Sequence, residues 1–262
     1  MKILLTNDDG IRALGIWALA ATLVEKHEVI IVAPMKQQSG MAHALSVLKQ
    51  VEFMKINDEQ IKELLRNHCP NAKVDKSIET WAIDGTPTDC VKIYLEAMCE
   101  GNWPDMVISG INHGANLATD VLYSGTVGAA LEGFLHEIPS AAVSLDTESV
   151  IPFEDAAKAT LEYLENKMDS KTTKAFFYNI NFPKHFKSDK AEFKFAKLGH
   201  RDYINAFQHH KDEKGRTFYR VGGQVYDIDR SEGTDIFAAE EGYVAVTPLQ
   251  SDLTDYNLMR NA

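Results

Sequence analysis

Short apolar runs separated by stretches of helical periodicity constrain this chain more than any other feature. They read KILLT (2–6), EVIIVAP (28–34), PDMVISG (104–110), PSAAVSL (139–145) and AFFYNINFP (175–183). Each is nearly continuous rather than alternating, the pattern of strands buried on both faces and characteristic of parallel sheets. Between them, segments such as IRALGIWALAATL and SGTVGAALEGFLHEI carry helical spacing. Strand, helix, strand at this interval predicts a doubly wound, Rossmann-like, mostly parallel α/β sheet, with ligands outside the carboxyl ends of its strands.

That core is expected over residues 1–183. Residues 46–56 read as an extended segment, and 57–69 as a short charged helix with Ile61, Leu64 and Leu65 on one face. After Pro183 the texture changes to short alternating pieces, AEFKFAKLG and RTFYRVGGQVYDI, with Gly222-Gly223 suggesting a hairpin or bulge. Residues 184–233 are therefore expected to form a β-rich extension, whose apolar face needs a partner surface. Residues 234–262 return to a helix-and-strand pattern on the core.

Composition narrows the function. The chain has 262 residues and a formal net charge of −11, which argues against nucleic acid polymers or an anionic membrane as partners. Cys69, Cys90 and Cys99 show no CxxC spacing, so zinc clusters and a disulfide framework are not expected. No apolar run approaches a membrane span and the first residues form a strand, so a cytoplasmic location is expected.

The chemistry should lie in the loops that follow the strands. Asn7-Asp8-Asp9-Gly10 ends the first strand, and Gln37-Gln38-Ser39-Gly40 follows the second. Asn112, His113 and Asn116 follow PDMVISG, with Ser124-Gly125-Thr126 opening the next helix. Adjacent carboxylates repel unless a positive charge neutralises them. Asp8-Asp9 reads either as a helix N-cap, for which one Asp suffices, or as a cation site. Carboxylates, amide oxygens and hydroxyls on one rim are hard donors that suit Mg²⁺ or Mn²⁺ rather than zinc. SGTVGAA offers outward backbone N–H groups at a helix start, a natural phosphate seat; alternatively, its small residues serve helix–sheet packing. Neither GxxxxGK[ST] nor a GxGxxG after the first strand is present.

The motifs NDDG, APxxxQSG, DGTPxDCV, SGINxGxNxxxDxxYSGTVGAAxEG and TDxxAxxxGYVxxTPL occur in this order, over 1–50, 79–145 and 234–250. This pattern resembles the SurE family of metal-dependent nucleotidases and acid phosphatases. The resemblance implies one divalent ion per subunit on Asp8, Asp9, Ser39 and Asn112. It implies substrate phosphate at Gly40, Asn116, Ser124, Gly125 and Thr126. It also implies exchange of a C-terminal extension between subunits, hence a homodimer or a dimer of dimers. Ala118 departs from the pattern, standing where the family usually has glycine, and the 57–77 stretch looks longer than usual.

The expected activity is hydrolysis of nucleoside monophosphates, 5′ and possibly 3′, by metal-activated water with Asp8 or Asp9 orienting it. The competing expectations are a metal-dependent transferase and a non-catalytic nucleotide-binding module. Other polar residues read more simply. His43 and His113 suit structural hydrogen bonding, Asp84 and Asp89 turn and cap geometry, and Asp120 ordering of the turn before Tyr123. His209-His210 suit a solvated loop, and Glu240-Glu241 a solvated helix face.

Overall fold

The structure is a computed structural model that describes residues 1–72, 74, 76–168 and 175–260. Its strands are β1 (Lys2–Thr6), β2 (Glu28–Pro34), β3 (Phe53–Lys55), β4 (Glu79–Ile83), β5 (Met106–His113), β6 (Ser140–Leu145) and β7 (Phe177–Phe182). The C-terminal third adds β8 (Phe193–Phe195), β9 (His200–Ile204), β10 (Phe207–Lys211), β11 (Thr217–Val221), β12 (Gln224–Asp229) and β13 (Val244–Pro248). One nine-stranded sheet runs β3-β4-β2-β1-β5-β6-β7-β13-β8. From β4 to β7 every pairing is parallel, whereas β3 and β13 join antiparallel. The chain steps outward from β1 first towards β2 and later towards β5, so the strand order reverses beside β1. That is where an open α/β sheet forms its binding crevice.

Side chains alternate across each strand and bury both faces. Ile3, Leu5, Val29 and Ile31 pack with α1 (Leu14–Leu23), α2 (Asp58–His68) and α5 (Phe153–Met168), whereas Leu4, Ile30, Val32 and Val107 pack with α3 (Pro87–Ile93) and α4 (Gly125–Leu135). Trp17 is fully buried, and its indole N–H donates to Ile11 O at 2.8 Å, so burial leaves no polar group unmet. The charged helix is present as α2, opened by a reciprocal Asn57–Gln60 capping box, with Ile61 and Leu65 buried. Residues 73 and 75, at the end of the long 57–77 stretch, lie outside the described residues.

The first helix does not start directly after Gly10 but at Leu14. Of the expected extended segment 46–56, only Phe53–Lys55 is a strand, because the chain turns at 47–49 before it reaches the sheet edge. His209-His210 are not in a loop: they sit on β10, opposite Tyr219 and Phe218.

Part of the β-rich region joins the main sheet through β8, which pairs parallel with β13. The remainder is a long two-stranded ribbon in which β9 pairs with β12 and β10 with β11. A bend at Asn205-Ala206 and Gly222-Gly223 divides the ribbon. Gly223 has φ +103, and a Cβ there would meet Ile204 O at 2.7 Å, so this corner requires glycine. Phe207, Tyr219, Val221 and Val225 are exposed on it. The chain returns through α6 (Asp235–Glu240) and β13 to an exposed terminal turn, α7 (Tyr256–Arg260). Among the described residues, no helix is long and apolar enough to cross a membrane.

Candidate active site

The Asp8-Asp9 pair does not cap a helix. α1 begins after Ala13, whose side chain makes no cap bond. The turn after β1 is built instead by Asn7, whose Oδ1 accepts Gly10 N–H at 3.1 Å while its Nδ2 donates to Gly10 O at 3.0 Å. This ring of bonds frees both aspartates to point elsewhere. Gln38 N–H donates to Asp8 O at 2.7 Å, tying the loop after β2 to the end of β1.

Asp8 is 4% exposed and faces the start of α4, where Thr126 Oγ1 donates to its Oδ1 at 2.6 Å. Asp9 faces the end of β5: His113 N–H donates to Asp9 Oδ2 at 3.1 Å. Gln37 Nε2 lies 3.4 Å from Asp9 Oδ1 and 3.1 Å from Ser39 Oγ, bridging carboxylate and hydroxyl. Asn112 Nδ2 donates to Gly114 O at 2.7 Å, which leaves the amide oxygen as the acceptor the side chain can offer. The loops after β1, β2 and β5 thus converge with the first turn of α4.

These partners of the aspartates are uncharged. Burial pushes the Asp8 carboxyl up to about 6, a rise that the Thr126 hydrogen bond opposes and the Asp9 charge reinforces. A buried carboxylate beside a second one, met by neutral donors, is an under-neutralised anionic site. Its oxygen donors fit a small divalent cation such as Mg²⁺ or Mn²⁺.

SGTVGAA forms both a helix start and a close-packed surface. Ser124 is the N-cap of α4, its Oγ accepting Val127 N–H at 3.1 Å. Gly125 and Thr126 have first-turn amides with no intrahelical carbonyl to bond, and the Thr126 amide is turned to the Asp8 carboxylate. The small residues also serve packing. A Cβ on Gly125 would stand 3.0 Å from Asp8 Cβ, and one on Gly128 would meet Ala42 O at 2.2 Å. Gly40 sits at φ +77 in open space. Asn116 is held more firmly than the sequence suggests. Its Nδ2 donates to Ser144 Oγ at 2.9 Å, its N–H to Asn181 Oδ1 at 2.7 Å, and its carbonyl accepts from Asn179 and Asn181. Asn179 and Asn181 lie inside an apolar strand pattern, where nothing but their polarity signalled them.

The secondary residues fall into structural roles. Asp89 completes a capping box with Thr86 at α3. Asp120 O accepts Tyr123 N–H at 3.0 Å and closes the turn before α4. His113 contributes its backbone to the site while its ring packs edge-on against Phe153. His43 Nε2 lies 2.7 Å from Glu132 Oε2 and fastens the Ser39 loop to α4. Glu132, Glu96 and His136 bring possible ligand atoms within 4.8 Å of one another. Lys92 Nζ already lies 2.6 Å from Glu96 Oε1 and 3.0 Å from Glu132 Oε1. Burial alone would raise the Glu132 carboxyl, but His43 and Lys92 hold it below its usual range. That cluster is a self-neutralised network, unlike Asp8-Asp9.

Comparison with known proteins agrees with this architecture. Residues 3–205 match the family model described as survival protein SurE. The chain is 43% identical to the 5′-nucleotidase SurE of Pelotomaculum thermopropionicum, over 99% of this chain and 93% of that protein. It is 39% identical to the 5′-nucleotidase SurE of a Thermoanaerobacter species, over 99% and 96%. The crystal structure of the Aquifex aeolicus SurE protein superposes with a TM-score of 0.79 at 33% identity, covering 100% of this chain and 98% of that one. With its motifs, its sheet and nearly its whole length shared, the chain belongs to the SurE family.

Proposed function

We propose that the protein is a metal-dependent phosphomonoesterase that hydrolyses nucleoside monophosphates to nucleoside and phosphate. The observation that carries this reading is the meeting of Asp8 and Thr126, which sets an under-neutralised carboxylate pair against the first turn of a helix suited to phosphate. Asp8, Asp9, Ser39 and Asn112 would hold one divalent ion, Mg²⁺ or Mn²⁺. The bound ion supplies a positive charge for the phosphoryl oxygens and a more acidic water. The amides of Gly40 and Gly125, with Thr126 beside them, seat the phosphoryl group, where fixed dipoles help phosphoryl transfer most. Ser124 fixes the helix start, Asn116 borders the seat, and the aspartate not facing Thr126 orients the attacking water. The relatives named 5′-nucleotidase support this substrate class.

The exposed apolar residues of the ribbon and of the 253–259 tail support a homodimer, with residues 184–233 as the arm that meets the second copy. Static light scattering at micromolar concentration tests this, and a monomeric mass contradicts it.

Phosphate release from a panel of nucleoside monophosphates tests the activity, using EDTA-treated protein with Mg²⁺ or Mn²⁺ restored, for wild type and Asp9→Asn. Metal-restored release that is lost in the variant supports hydrolysis. Binding without release favours a nucleotide-binding module, and release only with an added acceptor favours a transferase.

A further inference from the structure

The short turn at 118–122, which delivers Ser124, Gly125 and Thr126, is held from outside the rim. At its start, Ala118 N–H donates to Asp235 Oδ2 at 2.8 Å, while Asp235 Oδ1 accepts Gly199 N–H, just before β9, also at 2.8 Å. At its middle, the Asp120 carboxylate receives Arg201 Nη1 at 3.2 Å and Tyr203 Oη at 2.8 Å. The rest of the Arg201 fork grips Asp227 on β12, with Nε at 2.6 Å and Nη2 at 3.2 Å. Thr119 Oγ1 donates to Arg201 O and accepts Arg201 N–H. The Arg201, Asp120 and Asp227 side chains are 13%, 16% and 12% exposed.

We propose that Arg201 is a positioning residue for the phosphate seat, the base of the ribbon holding the 118–122 turn in its binding-competent conformation. The turn has little to hold it by itself. It is one helical turn of five residues, a length that is not stable in isolation. Ala118 adds to the problem, because φ +53 is disfavoured for any residue with a Cβ. Against this, Arg201 spans two ribbon strands and the turn with one planar fork, a geometry lysine cannot reproduce. Burial would lower the guanidinium, but Asp227 and Asp120 more than compensate and keep it charged. Asp235 gives the TDI motif a role as well, anchoring α6 to both the turn and β9.

This rests on residues 124–126 being the phosphate seat, and the test separates the two ideas. If the turn is competent for only a fraction of the time, KM and the inhibition constant of inorganic phosphate rise by the same factor, the inverse of that fraction. For Arg201→Gln both should rise about tenfold with kcat within about twofold, and Arg201→Lys should recover part of the loss. Tyr203→Phe, which removes one hydroxyl, should raise both about threefold and guards against a misfolded Arg201→Gln. Hydrogen exchange at the 118–127 amides should accelerate in both variants while that of β1 and β5 stays as in the wild type. This readout needs no turnover, so wild-type protein without phosphatase activity would overturn the functional reading alone. Unchanged exchange, KM and phosphate inhibition in folded variants would overturn the role of Arg201. So would a uniform acceleration across the sheet, which marks general destabilisation.

Discussion

Thr126 Oγ1 and Asp8 Oδ1 stand 2.6 Å apart, joining residues 118 positions distant in sequence and both buried. The hydroxyl favours the ionised carboxylate where burial disfavours it. It therefore keeps the proposed ligand closer to the form a cation needs.

Replacing Thr126 by Val should remove that bond at nearly constant volume. A hydrogen bond to a charged group contributes about 1.5–3 kcal/mol. Divalent-ion affinity near neutral pH should fall about tenfold or more, while Thr126→Ser stays near wild type. Calorimetric titration of Mn²⁺ into EDTA-stripped protein measures this, and equal affinities for the Val and Ser variants would contradict it.

Asp8 also sets a pH dependence. Its carboxyl rises from 3.8 to about 6 on folding, so the folded state holds its proton more tightly than the unfolded chain. Asp8 therefore opposes folding above pH 6, by about 3 kcal/mol at order of magnitude, and this penalty fades as pH falls from 6 towards 4. Metal-free wild type should be less stable than Asp8→Asn at pH 7.5, with the gap narrowing to about a third by pH 4.5. Urea unfolding of both proteins with EDTA reads it out. A gap independent of pH would show that Asp8 is not the group responsible.

The glycines of α4 separate site from scaffold. A methyl on Gly125 meets Asp8 Cβ at 3.0 Å and Oδ2 at 3.2 Å, where the carboxylate must shift by a few tenths of an ångström. A methyl on Gly128 meets a backbone carbonyl at 2.2 Å, which cannot yield without moving the loop. Gly125→Ala should leave the melting temperature near wild type and lower activity. Gly128→Ala should cost about 1–3 kcal/mol of stability as well. Thermal melts beside phosphate-release assays distinguish them, and a stable Gly128→Ala protein would contradict the packing argument.

Ala118 occupies a left-handed conformation with its methyl fully buried. Glycine there would relieve about 1–2 kcal/mol of strain. It would also lose a buried methyl, about 0.8 kcal/mol, and add unfolded-chain entropy of similar size. Ala118→Gly should therefore change unfolding free energy by less than about 1 kcal/mol, which accounts for alanine being tolerated there. A stability change of several kcal/mol in denaturant unfolding would show that the turn is held differently.

The central sheet was legible because buried parallel strands leave continuous apolar runs, and β1, β2, β5, β6 and β7 all do. The rim loops were legible because their polar residues directly follow those strands. What escaped was whatever depends on long-range partners. Nothing local distinguishes Asn179 and Asn181 from interruptions in a strand, yet they clasp Asn116 in the loop after β5, two strands away. Arg201 and Asp227 read as ordinary charges in a polar stretch until the ribbon folds β9 onto β12. The 46–52 stretch misled for the opposite reason: its β-branched and apolar residues promise a strand, but Val47 and Leu48 lie exposed at 81% and 101%.

The sheet order places β1 between β2 and β5, two strands that both follow it in the chain. Asp8 and Asp9 are synthesised well before the neighbours they meet, which they acquire only after His113 and Thr126 have been translated. The turn before Thr126 waits longer still, for Arg201 and Asp235. A nascent or prematurely terminated chain therefore carries both carboxylates without the pocket around them, and completeness of the polypeptide becomes a precondition for chemistry.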